Sequence, residues 1–171
     1  MSKGVIVQKY GGTSVADITR IENVAKRVVA TRRSGYDVVV IVSALGHTTD
    51  KLIDLALKIT TNPPDRELDM LISTGEQVSS ALLAMAIHKL GVEAISFTGA
   101  QVGIITDNSF TKARIIDINA KRISEELDKG KIVIVAGFQG VNINQDITTL
   151  GRGGSNLTAV ALAKVIGARM C

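Results

Sequence analysis

Asp37-Val38-Val39-Val40-Ile41-Val42-Ser43 holds five consecutive aliphatic residues, four of them valine. β-branched side chains favour a strand, and the run is too short for a helix. Because it does not alternate, it has no polar face. Such a strand is buried on both sides, as in the middle of a parallel sheet covered by helices. Lys131–Ala136 reads the same way. Helical patterns lie around these two runs. Ile18, Ile21, Ala25, Val28 and Val29 share one face of a helix closed by Gly35. Leu52, Leu55, Ala56 and Ile59 mark a second, capped by Thr49 or Asp50. After Pro63-Pro64 come a short helix over Arg66–Ile72 and a longer one over Glu76–Leu90. Lys121–Asp128 and Ser155–Ile166 complete the helices, each stopped by a glycine. Val5–Tyr10, Ala94–Thr98 and Ala113–Ile118 read as further strands. Gly99–Phe110 is a loop or hairpin, and Asn142–Leu150 is irregular or an extension. The alternation predicts a single α/β domain over 1–171 with a mainly parallel sheet, without repeats or an internal linker.

The 171 residues are enough for one proper core, and 46% hydrophobic with 21% charged residues is a globular balance. One cysteine, Cys171, excludes a disulfide framework and fits a reducing compartment. The longest apolar runs, Val38–Val42 and Ala81–Ile87, fall far short of the roughly 18–20 residues that span a bilayer. No signal-peptide pattern precedes the first strand, so a cytoplasmic location without membrane association is expected. The net charge of +4 raises the question of anionic partners. With 3% aromatics, no tryptophan and scattered basic residues, nucleic acid is a poor candidate, and a phosphate-bearing small molecule is the better one.

Four glycine- or hydroxyl-rich turns bear on chemistry. Lys9-Tyr10-Gly11-Gly12-Thr13-Ser14 joins a strand end to a helix, so it is either a tight connection or a phosphate cradle in which Lys9 adds charge. It is neither a Walker A loop nor G-x-G-x-x-G. Gly151-Arg152-Gly153-Gly154-Ser155 also enters a helix; a flexible loop capped by Ser155 competes with a site where Arg152 grips a carboxylate. Ser43-Ala44-Leu45-Gly46-His47-Thr48-Thr49 follows the buried strand, where open α/β sheets bind ligands, although helix capping by Thr49 explains it equally. In Ser73-Thr74-Gly75-Glu76-Gln77, Glu76 either answers the helix dipole or binds a substrate ammonium. No Cys/His metal spacing and no Ser-His-Asp arrangement is present.

Taken in order, KYGGTSVAD, VVIVSALGHTTD, STGEQVSSALLAMAI, SFTGAQVGIITD, ARIIDI, IVIVAGFQG and TTLGRGGSNLTAVALA resemble the aspartate kinases of the amino acid kinase superfamily across nearly the whole chain. The resemblance implies a three-layer αβα sandwich of the carbamate-kinase type. It implies ATP-dependent phosphorylation of the L-aspartate side-chain carboxylate, a first step toward lysine, threonine and methionine. Lys9, Gly11 and Gly12, with Tyr10 between them, resemble the residues that hold the transferred phosphoryl group. Ser43 resembles a nucleotide-side hydroxyl. Thr49 and Glu76 resemble aspartate ligands, with Glu76 facing the α-amino group. Arg152, Gly153, Gly154 and Ser155 resemble the grip on the substrate carboxylates, and Phe138 a pocket residue. Mg2+ is expected on the phosphates of ATP rather than in a protein cage.

Two departures from that pattern stand out. The family reads GRGGSD where this chain has Asn156, which removes an acid expected to orient the lysine and the phosphoryl site. The family also continues into a segment resembling DVDGVYTADP and then into regulatory ACT domains. The expectation is therefore the N-terminal portion of a catalytic domain, with a new strand starting at Arg169–Cys171 and the nucleotide-binding remainder absent. The competing reading is an inactive fragment or split subunit that binds aspartate or a complementary chain. Homo-oligomers or such a complementary partner are expected.

Overall fold

The structure is a computed structural model that describes residues 2–171. In chain order its elements are β1 (Val5–Tyr10), α1 (Ile18–Arg33), β2 (Asp37–Val42), α2 (Thr48–Ile59), α3 (Asp65–Ile72), α4 (Thr74–Lys89), β3 (Ala94–Phe97), β4 (Ile104–Thr106), β5 (Ile115–Ile118), α5 (Lys121–Asp128), β6 (Ile132–Ala136), β7 (Gln139–Val141), β8 (Ile147–Thr149) and α6 (Gly154–Val165). The main sheet has the order β1-β2-β6-β3, and every pairing in it is parallel.

The valine run of β2 shows why this sheet is interior. Val38, Val40 and Val42 point to one face and pack with Val24 and Val28 of α1 and Leu83 and Ile87 of α4. Val39 and Ile41 point to the other and meet Phe97, Ile104, Ile123 of α5 and Leu162 of α6. β6 divides in the same way, Ile132 and Ile134 against Val133 and Val135. Each such side chain contributes about 1.5–3 kcal/mol on burial, so helices on both faces are favoured together. The result is the expected three-layer αβα arrangement.

A second sheet, β5-β4-β7-β8, was not expected. The stretch read as loop or hairpin contains β4, paired antiparallel to β5. The stretch read as irregular contains β8, paired antiparallel to β7. Gly99 sits where the two sheets meet. A Cβ there would lie 2.0 Å from the Gln139 carbonyl oxygen and 2.7 Å from its carbon. Because that obstacle is backbone, Gly99→Ala is expected to cost about 3 kcal/mol or more in urea unfolding.

Two local expectations change. α2 is capped at the position of His47 rather than Thr49 or Asp50, without a side-chain cap bond. The Thr48 hydroxyl donates back to the Leu45 carbonyl (2.7 Å), which leaves Thr49 one residue inside the helix. Gly75 opens no turn: it lies within α4, and Ser73 before it is helical (φ −61°, ψ −20°). The glycine instead allows contact, since a Cβ would come 2.8 Å from that of Ala44. The nearly continuous helical run Asp65–Lys89 is long and apolar enough to cross a bilayer by composition, but half of its most apolar window is buried in the fold. At the other end of the chain, Arg169 and Met170 run parallel to β1, with the bridge Ile6–Met170 and a bond from the Val7 N–H to the Met170 carbonyl (2.9 Å).

Candidate active site

Tyr10, Val42 and Ala136 are register partners, so β1, β2 and β6 end side by side. Past these ends the chain enters the Gly11-Gly12 turn and the Ser43–Thr49 loop, both flagged in the sequence, and Gly137-Phe138, of which Phe138 was named only through the family resemblance. Backbone pairing continues for one residue, from the Ser43 N–H to the Tyr10 carbonyl and from the Gly137 N–H to the Val42 carbonyl, both 3.0 Å. The start of α6 is pressed onto this edge. A Cβ on Gly137 would meet the Ser155 hydroxyl at 2.8 Å, and one on Gly154 the Phe138 ring at 2.8 Å. Phe138 has φ +73°, an uncommon conformation for a bulky residue. Its N–H donates to the Thr158 hydroxyl (3.1 Å), and its carbonyl accepts from the Leu150 N–H (2.8 Å). The strained residue is therefore held from both sides, with its ring on α6.

A pocket of about 170 Å³ opens at this edge, lined by Lys9, Ser43, Thr49, Glu76, Phe138, Gly151, Arg152, Gly153, Gly154, Ser155 and Asn156. Ten of these residues were singled out as site candidates from the sequence; Gly151 was noted only as part of its turn. Gly11 and Gly12 lie beside the pocket. The Lys9 ammonium folds to 3.3 Å from the Cβ position of Gly11, and a Cβ on Gly12 would be 3.0 Å from the Ala44 carbonyl. That close approach keeps the turn against the Ser43–Gly46 loop. The side chain of Tyr10 points the other way. It follows Lys9 in a strand, so it faces the α1 side, where its hydroxyl donates to Gln8 (3.2 Å) and burial raises its pKa. Only its backbone remains near the pocket.

The electrostatics are uneven. Among the described residues no acidic side chain pairs with Lys9 or Arg152. Gly153, with φ +80°, starts α6, so the positive end of the helix dipole adds to these two cations. Facing them is Glu76, only 3% exposed. Its Oε1 accepts from the Ala44 N–H (3.1 Å), while Oε2 is buried without a partner. Burial pushes its pKa up to about 7, the Ala44 bond opposing. Glu76 stands in the first turn of α4, but α3 runs almost unbroken into that helix, which weakens a helix-dipole role, and Glu76, with its partnerless buried oxygen, is one of the residues that line the pocket. Ser155 is inside α6 and caps nothing. The arrangement offers two cations and a helix terminus for anionic groups, and one buried carboxylate for an ammonium. Among the described residues no group of three His, Cys, Asp or Glu side chains converges as a metal site.

A sequence model described as the Amino acid kinase family matches residues 4–171. The chain belongs to the amino acid kinase family. Within it, the chain is 57% identical over 168 residues to an aspartokinase of a Bacillus species, covering 98% of this chain and 41% of the relative. An aspartate kinase structure from Synechocystis superposes with a TM-score of 0.85 at 50% identity, over 98% of this chain and 27% of that one. E. coli aspartokinase III in complex with aspartate and ADP superposes with a TM-score of 0.85 at 26% identity, over 97% of this chain and 48% of that one. The chain thus spans about two fifths of the length of the curated relatives it matches.

The sequence reading passed over three polar residues of this family member. Asp69 and Gln139 fasten segments beneath the pocket. The Ser79 hydroxyl donates to the Ser43 carbonyl (2.7 Å) from one turn beyond Glu76. Their partners lie 36 to 80 residues away, so no local spacing announces them.

Proposed function

We propose that this chain is the substrate-side portion of an aspartate kinase, which transfers the terminal phosphoryl group of ATP to the side-chain carboxylate of L-aspartate. The observation that carries this reading is the pairing of one partnerless buried carboxylate oxygen, on Glu76, with the unpaired Lys9 and Arg152 in a single small pocket. The α-ammonium of aspartate sits on Glu76, and its carboxylates meet Arg152, Ser155 and the amides of the first turn of α6. Thr49 and Phe138 close the sides. The nucleophilic carboxylate has an ordinary pKa near 4, so it attacks already ionised and needs no general base. Its oxygen bonds to the γ-phosphorus as the bond to ADP breaks, and ADP leaves with the electron pair, giving 4-phospho-L-aspartate. Lys9, beside the Gly11-Gly12 turn, neutralises charge on the moving phosphoryl oxygens, and Ser43 lies on the nucleotide side. Catalysis then rests on positioning and charge. Mg2+ carried on the ATP phosphates, rather than in a protein cage, would supply further charge neutralisation there. The product fits a biosynthetic route to lysine and related amino acids, and the site needs neither a membrane nor nucleic acid.

One observation favours a second reading, a binding-only subunit working with a complementary or identical chain. Asn156 lines the pocket where the family pattern has an acid, so the charge that would orient Lys9 is missing. A coupled assay of the purified chain with aspartate and Mg-ATP separates the two. Turnover sinks the binding-only reading; aspartate binding by calorimetry without turnover sinks catalysis by this chain alone. Restoring the acid is the matched test. Asn156→Asp in the full chain is expected to raise kcat at least tenfold with little change in aspartate KM, since a preorganised catalytic contact is commonly worth about 2.7–4 kcal/mol.

A further inference from the structure

Glu76 and the Arg152 turn face each other across the pocket but belong to distant parts of the chain. The element that joins them is α3, which is tied along its length to the β7–β8 hairpin. At its first turn, Arg66 pairs with Asp146 in the hairpin connection (Nη2 to Oδ1, 3.1 Å). In its middle, Asp69 is completely buried. Asp69 Oδ2 accepts from the N–H groups of Thr149 and Thr111, each at 2.9 Å, and Oδ1 accepts from the Thr149 hydroxyl at 2.6 Å. At its end, the Ser73 carbonyl accepts from the Gln139 side-chain amide (2.7 Å).

These ties join the two walls. The hairpin is preceded by Phe138 and followed by Leu150-Gly151-Arg152, while α3 passes through helical Ser73 into α4, which carries Glu76. The Asp69-held Thr111 also underlies the turn, with its carbonyl 3.2 Å from the Cβ position of Gly151. Of the three ties, the Arg66 pair is half exposed and exchanges with water. Asp69 is sealed, has no cationic partner among the described residues, and depends wholly on the groups it fastens. A buried carboxylate is retained at a desolvation cost, and here it fixes three segments at once.

We propose that Asp69 is a positioning residue that sets the spacing between Glu76 and Arg152 and so selects the length of the dicarboxylic amino acid the pocket accepts, the four-carbon acid over its five-carbon homologue. This rests on the reading above in which the ammonium sits on Glu76 and a carboxylate on Arg152. A single methylene in a fixed pocket is worth roughly 10- to 200-fold in discrimination, and a displacement near 1 Å costs about 100-fold in rate. A firm spacing between the walls is what such discrimination requires.

The test compares Asp69→Asn and Thr149→Val with the wild-type full chain. For Asp69→Asn we expect aspartate KM to rise tenfold or more and ATP KM to stay within twofold. The preference for aspartate over glutamate in kcat/KM should narrow at least tenfold. Amide exchange over 149–153 should accelerate while β2 and β6 keep their protection. Thr149→Val, which loses only the hydroxyl tie, should move all of these in the same direction by a smaller factor. A folded variant that melts above the assay temperature with unchanged preference and exchange overturns the proposal. If Asp69→Asn does not fold, Thr149→Val decides alone. A wild-type chain that binds neither amino acid refutes the kinase reading and the selectivity with it, and the exchange data then judge the tie itself.

Discussion

Glu76→Gln is expected to raise the melting temperature of the ligand-free protein at pH 8 by roughly 6–12 °C while weakening aspartate binding tenfold to a hundredfold. Both effects follow from one buried oxygen. The folded-state pKa of Glu76, about 7, lies above its ordinary value of 4.5, so the folded protein holds this proton more tightly than the unfolded chain does. Below pH 4.5 both states are protonated and the group costs nothing. Between pH 4.5 and 7 the unfolded chain ionises first, and stability falls as pH rises. Above pH 7 the full cost of about 3 kcal/mol is present. Glutamine keeps an acceptor for the Ala44 N–H without the charge, so the cost disappears and the pH slope flattens; a domain of this size gains about 2–4 °C per kcal/mol. Binding moves the opposite way. A hydrogen bond to a charged group is worth about 1.5–3 kcal/mol, and the amide replaces that acceptor with a neutral one. In the proposed pose an ammonium on Oε2 would favour the ionised carboxylate, so aspartate binding to the wild type should weaken up to tenfold per pH unit below 7. Glu76→Gln should erase that dependence. Differential scanning fluorimetry across pH 4–8, with calorimetry at pH 6 and 8, measures all of this. An unchanged melting curve at pH 8 would remove the strain argument, and unchanged aspartate affinity would remove the ammonium site.

The buried, partnerless oxygen of Glu76 marks the boundary of what the sequence conveyed. The main sheet was legible because Val38–Val42 and Ile132–Ala136 are apolar on both faces, and only a sheet covered on both sides satisfies them. The second sheet was not, because β4, β7 and β8 are three residues each, too short to display a period of two. Glycine misled once. Gly75 looked like a turn, yet it serves contact with Ala44 inside a helix, and sequence does not distinguish a glycine needed for its dihedral from one needed for its missing side chain. Part of the pocket set was legible in glycine- and hydroxyl-rich segments that follow strands, whereas Phe138 and Asn156 entered only through the resemblance to the aspartate kinases, and Glu76 sits in a helix that follows a helix. The physical state of these residues was not legible: the burial of Glu76 and the outward turn of Tyr10 depend on what packs against them. Asp69 left no mark at all, since a charged residue in a helix reads as surface until its partners, 42 and 80 residues away, are brought to it.

Lys9→Met should lower kcat by two to three orders of magnitude while leaving aspartate affinity in the absence of nucleotide within about threefold. The split between the two numbers is the informative part. Lys9 lies near the end of β1 in register opposite the fully buried Ile41, so its backbone is held by the main sheet. Its ammonium returns over the Gly11 turn rather than toward any carboxylate. A cation placed without a protein partner is poised for charge that arrives or develops later, and phosphoryl transfer is where negative charge is redistributed over the moving group. Removing one preorganised donor of this kind commonly costs 100- to 1000-fold in kcat. Methionine preserves most of the stem's volume, so β1 should pack as before and the melting temperature should stay within about 2 °C. Aspartate in the proposed pose leans on Glu76 and Arg152, which this substitution leaves untouched, so its binding should survive. ATP KM should rise, because the ground-state phosphates also lose a positive neighbour. If the kcat of an otherwise active full chain fell less than tenfold, Lys9 would be a bystander, and charge neutralisation would have to come from Arg152 and the first turn of α6. If aspartate affinity fell as far as kcat, the two ends of the pocket would be one site, and the division between phosphoryl side and substrate side would be wrong.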